Sequence, residues 1–141
     1  MRTRTVALSA ALFLAAAGGC VPKPKQAYSD DQLKQLESLE ELMRVQADAA
    51  DPQFNKIGQA TYSDADYAGL LAAAQKLQAT SESLRTRFTQ GRGPSFATFA
   101  TRMGEQAGEL SSAVGAKDPA KISAALTGIR EACRACHKEH K

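Results

Sequence analysis

The chain has 141 residues, a length that suits one domain. Apolar residues make up 43% of it, there is no tryptophan, and much of the apolar content is alanine, so a core built from these side chains alone is poor in large groups. The net charge is +3, and without Arg2 and Arg4 the remainder holds 16 basic and 15 acidic residues, which gives no basic surface for nucleic acid.

Residues 1–19 read as an export signal of the lipoprotein type. Arg2 and Arg4 form the positive start, Val6 to Ala17 the apolar segment, and Ala17-Gly18-Gly19 the small residues before Cys20. The apolar segment is too short for a mature membrane span. A run of small residues ending in cysteine resembles a bacterial lipobox, with Cys20 as the lipidated residue, although Ala17 stands where leucine is usual. An ordinary cleaved signal with a spare cysteine is the other reading. Residues 20–29 then form a tether in which Pro22, Lys23, Pro24 and Lys25 favour an extended chain. Val21 is not the aspartate associated with inner-membrane retention, so the expected location is the bacterial periplasm, lipid-anchored, with the outer membrane favoured.

The domain proper is expected over residues 30–141. Ser29, with Gln32 three residues on, opens a first helix as a capping box. Leu33, Leu36, Leu39, Met43, Ala47 and Ala50 recur at three- and four-residue steps, and Asp51-Pro52 is expected to end the helix. Its charges, Lys34, Glu37, Glu40, Glu41 and Arg44, read as a solvated face. A connection over 51–62 contains Gly58. Ser63-Asp64-Ala65-Asp66 opens a second helix, whose face is Tyr67, Leu70, Leu71, Ala74, Leu77, Ser81, Leu84 and Phe88. Gly91-Arg92-Gly93 breaks it.

Pro94 suits the first turn of a third helix. Its face is Phe96, Phe99, Met103, Ala107, Leu110 and Val114, and Gly104 and Gly108 allow a neighbour to come close. Asp118 and Pro119 start a fourth helix, on which Ile122, Leu126, Ile129 and Cys133 run down one stripe that continues into Cys136, His137 and His140. No strand pattern competes. Four helices with short connections predict an all-α, antiparallel four-helix bundle.

Cys133-Arg134-Ala135-Cys136-His137 reads C-x-x-C-H, the attachment motif of c-type haem. Two thiols at this spacing can bond the haem vinyl groups, and the histidine can supply an axial nitrogen to iron. A redox dithiol would be expected after a strand, and zinc would need both His140 and His137 beside the cysteines to close a tetrahedron, which a continuous helix makes awkward because His137 points about 100° from Cys136. The three cysteines divide between Cys20 and this motif, so no disulfide framework is expected. Export agrees with haem attachment, which in bacteria takes place on the periplasmic side.

With this motif at the end of the last of four helices, the chain resembles the cytochrome c prime family and its low-spin, methionine-ligated relatives. Three stretches carry the resemblance: Leu42-Met43, Lys56-Ile57-Gly58-Gln59-Ala60-Thr61-Tyr62, and Cys133 to Lys141. It covers about residues 30–141 and implies one covalent haem c, bound through Cys133 and Cys136, with His137 as the proximal iron ligand. It also implies a distal residue on the first helix. Four residues follow His137, so a second axial ligand is expected from upstream, and His140, one turn away on the same helix, cannot reach the opposite haem face. Counting back from Tyr62 without gaps gives Leu42 as the distal position; one deletion gives Met43, which helical phase favours. Met43 is therefore either an iron ligand or a core filler, and Met103 is expected in the core. The arginine the family often carries one turn before the distal position is replaced by Ser38 or Leu39.

Histidine and methionine ligation would make a periplasmic electron carrier; histidine alone would leave an open iron position for a small gas such as nitric oxide or carbon monoxide. A bundle with no haem is the third reading. No catalytic constellation is present, so the chain is not expected to be an enzyme. Expected partners are periplasmic redox proteins, which Lys138, His140 and Lys141 can attract, the membrane through the lipid anchor, and, by the resemblance, a second copy paired through the first two helices.

Overall fold

The computed structural model describes residues 28–140. The export signal, Cys20 and the tether as far as residue 27 lie outside the described residues, as does Lys141. Five helices follow one another: α1 Asp30–Gln35, α2 Leu39–Phe54, α3 Asp64–Arg87, α4 Pro94–Gly115 and α5 Pro119–His140. Among the described residues there is no strand, and no helix is long and apolar enough to cross a membrane. The four long helices form the expected all-α bundle. Gln46 meets Thr80, Gly104 faces Ser81 and Gly108 faces Gln78, while Met103 meets Cys133 and Ser95 meets His140. In the α3–α4 and α4–α5 contacts one partner's number rises as the other falls, so these neighbours are antiparallel.

The expected first helix is broken. Leu36 leaves helical geometry, and Ser38 starts α2 by accepting a hydrogen bond from the Glu41 amide. Glu40 and Glu41 then sit in the first turn of α2, where negative charge is favourable. The other side of the break is stabilised by α3. The Ser83 hydroxyl donates to the Leu33 carbonyl, and the Arg87 guanidinium donates to the Lys34 carbonyl, so side chains from α3 satisfy acceptors that the short α1 leaves open. Leu33 is fully buried as a result. Tyr28 and Ser29, read as the end of the tether, already belong to the fold: Tyr28 donates to Glu41 and Ser29 makes the expected capping box with Gln32.

At its other end α2 runs through Pro52 to Phe54 rather than stopping at Asp51. Proline removes one amide from the ladder, but Asp48, Asp51 and Pro52 are all exposed, so the affected turn faces water. The connection to α3 is held by polar contacts. Lys56 pairs with Asp66 at 2.7 Å, the Tyr62 hydroxyl donates to the Lys56 carbonyl at 3.0 Å, and the Gly58 amide donates to Ser123 on α5 at 2.9 Å. Gly58 has φ +82°, a conformation that costs glycine little. Lys56 and then Ser63 hold the Asp66 carboxyl down at about 2 from its usual 3.8. The Lys56–Tyr62 stretch is thus a clamp between α2, α3 and α5.

The core runs from this clamp to the middle of the bundle. Leu70, Ala74 and Leu77 of α3 meet Ala107, Leu110 and Val114 of α4 and Ile122, Leu126 and Ile129 of α5, all buried. Leu71, expected on the buried face of α3, is exposed. On α2 Leu42 and Ala50 are the deepest residues, while Met43 is half-buried and Ala47 exposed.

Candidate functional site

The stripe on α2 that alternates every three or four residues, Met43, Ala47, Ala50 and Phe54, lines a cavity of about 400 Å³. This volume falls within the range of small-molecule and cofactor sites, about 300–1,000 Å³. The opposite walls are Phe96, Phe99, Ala100 and Met103 of α4 and Arg130, Cys133, Cys136 and His137 of α5, with Leu84 of α3 behind. On α4 and α5 the apolar face packs shut near the clamp and opens into the cavity toward the other end.

Cys133 and Cys136 are both free thiols and both half-buried against the core. Burial, and then the neighbouring Cys136 and Asp51, push the Cys133 thiol up to about 11. Burial and Glu139 push the Cys136 thiol up as well. A redox dithiol needs a thiol with a lowered value, so these two are poorly suited to thiol–disulfide exchange. They also sit in a helix, not after a strand. Among the described residues no three His, Cys, Asp or Glu side chains come together as a metal cluster. His140, the zinc ligand considered beside the cysteines, instead contacts Ser95 at 3.0 Å through Nε2 and packs edge-on against Phe96 and Phe99. This contact also withdraws His140 from the exposed charges that were expected to attract a partner; Lys138 remains exposed.

Met43 lines the cavity from α2 and His137 from α5. Leu42, the other distal alternative, is fully buried in the core and does not line the cavity. Met103 is buried, as expected, with its sulfur 3.8 Å from the Cys133 sulfur. If Cys133 holds a porphyrin edge, a sulfur in contact with it lies beside that edge, which suits packing better than iron ligation.

Two polar residues of the site were not singled out from the sequence. Gln46 is only 6% exposed, donates through Nε2 to Thr80 at 3.0 Å, and lines the cavity one turn from Met43. Arg130 lines the cavity one turn before Cys133, and its Nε is buried without a hydrogen-bond partner. Extending each ligand stripe by three residues would have found both.

The residues present fit haem c. Two thiols and an imidazole occupy one wall, apolar and aromatic groups line most of the rest, and a buried guanidinium nitrogen lacks the acceptor that a carboxylated ring would bring.

The family described as cytochrome C′ matches residues 93–141, which contain α4, α5 and the C-x-x-C-H motif. No curated protein and no solved structure matches the chain. Over residues 93–141, about the last third of the chain, the protein is similar to that family.

Proposed function

We propose that the protein is a monohaem c-type cytochrome that carries electrons in the bacterial periplasm. Cys133 and Cys136 would hold one haem covalently, and His137 and Met43 would be the side chains that bind its iron. The observation that carries this reading is that Met43 and His137 line one cavity from two different helices, as a pair of axial ligands must.

When bound, haem supplies a one-electron iron couple. The chain's own groups determine how that couple behaves. His137 and Met43 would keep the iron coordination fixed in both redox states, and a thioether ligand favours a high potential. Phe96, Phe99 and Phe54 exclude water from the cavity walls, and Gln46, fixed by Thr80, holds α2 at a set distance from α3. Cys20 anchors the domain to the membrane, and exposed Lys138 helps to meet an acidic redox protein. The role is electron exchange with protein partners rather than catalysis on a substrate.

The alternative is a five-coordinate haem protein that binds nitric oxide or carbon monoxide. One observation favours it: beside Met43 the α2 wall is Ala47 and Ala50, whose small side chains leave space for a diatomic ligand. Absorption spectra of wild type and Met43→Ala separate the two readings. Electron transfer predicts a low-spin wild type and a high-spin Met43→Ala. A wild type that is already high-spin would overturn ligation by Met43.

A further inference from the structure

Two arginines face the cavity from α5, the half-buried Arg130 and the exposed Arg134, and Arg130 is the one with a buried nitrogen. It lines the cavity from α5, and its Nε–H is buried with no acceptor. A guanidinium cannot shed its charge to escape this, because it stays protonated at any pH the protein meets. Leaving this buried N–H unsatisfied is costly, so an acceptor is favoured in the bound state. The protein supplies none to this nitrogen. Of the lining residues Asp51 is the one acid, and it is exposed on α2.

Position adds a second constraint. Arg130 is three residues before Cys133, and Cys133 three before Cys136, so all three side chains share one face of α5. Whatever the cysteines bind must come within the neighbourhood of Arg130. No basic residue lines the cavity from α2: that wall is Met43, Gln46, Ala47, Ala50, Asp51 and Phe54.

We propose that Arg130 binds a propionate carboxylate of the haem and so fixes the ring's orientation in the cavity. The inference rests on the haem reading of the site. Arginine suits the task because its planar fork pairs with a carboxylate through two parallel hydrogen bonds. The pairing also places a fixed positive charge near the iron, which disfavours the ferric state and raises the potential.

The test uses the full-length haem-loaded protein and compares wild type, R130Q, R130K and R102Q. Arg102 is exposed on α4 and lies away from the cavity lining, so R102Q removes the same charge elsewhere. The readouts are covalent haem by mass, midpoint potential by spectroelectrochemical titration, and the propionate bending band in resonance Raman spectra. R130Q should keep its haem, move the propionate band, and lower the potential by roughly 59 mV, a tenfold change in the ratio of oxidised to reduced protein for one electron. R130K should restore part of the potential, and R102Q should shift it far less. Haem-loaded R130Q with the potential of R102Q and an unmoved band would overturn the proposal while leaving the haem reading intact. Should R130Q fail to accumulate with haem, R130K decides: lysine cannot reproduce the bidentate pair, so an unmoved band overturns the proposal. Wild type without covalent haem would remove both readings together.

Discussion

The two halves of the bundle use the same helices differently. Near the 55–63 clamp, α3, α4 and α5 pack through small and aliphatic residues that close on one another, and Leu110, Leu126 and Ile129 are at most 1% exposed. Toward the other end the apolar faces of α4 and α5, and that of α2, line a cavity of about 400 Å³. The closed half meets its own packing requirement. The open half presents apolar surface, two thiols and an imidazole around a space large enough for a cofactor. Alanine abundance and the absence of tryptophan fit this division, because small side chains leave the unfilled volume at the cavity rather than spread through the core. Stability and function should therefore be separable by position along the same helix.

The largest effect should come from the motif itself. Replacing Cys133 and Cys136 together by serine should abolish covalent haem, read by peroxidase staining of a denaturing gel. Next, Met43→Ala should convert a low-spin haem to a high-spin one and open it to carbon monoxide. Its effect on unfolding free energy should be small, because Met43 is only half-buried against the core. On the same scale Leu110→Ala, in the closed half, should cost about 2–5 kcal/mol in urea unfolding. Its absorption spectrum should match wild type. If Leu110→Ala alters the spectrum as much as Met43→Ala does, the division between halves fails.

The smallest effect should appear in acid. Asp66 is held down at about 2, first by Lys56 and then by Ser63, against 3.8 when unpaired. A lowered carboxyl stabilises the folded state fully above about 3.8, and that contribution is lost as pH falls through about 2. Lys56→Met should narrow this window by letting Asp66 titrate closer to its ordinary value. Urea unfolding at pH 7, 4 and 2 should show a smaller loss between pH 4 and 2 in Lys56→Met than in wild type, with the haem spectrum at pH 7 unchanged.

Much of this was legible in the sequence. The caps at Ser29, Ser63 and Asp118 act locally, so their residue patterns place helix starts directly; Asp118, for instance, accepts from the Lys121 amide at 3.0 Å. The C-x-x-C-H spacing likewise puts its chemistry on one helical face without need of the rest of the fold. What periodicity did not reveal was which partner each face meets. Met43 and Ala47 look like core but are cavity wall, while Leu42 and Val45, offset from them, are buried in the bundle. The break at Leu36–Ser38 depends on Ser83 and Arg87, some 50 residues away, capping the carbonyls of α1. Pro52 reads as a stop, yet the helix continues because that turn faces water. Arg130 was hidden for a related reason: an arginine beside a cysteine motif reads as a solvated charge until its buried nitrogen is seen without a partner.

The central claim is that the cavity holds a haem whose iron is closed on both sides by this chain. The most direct test is the absorption spectrum of the reduced wild-type protein before and after carbon monoxide. The account predicts a low-spin ferrous spectrum that carbon monoxide leaves unchanged. A spectrum that shifts at once to a carbon monoxide complex would contradict Met43 as ligand and make gas binding the function of the site.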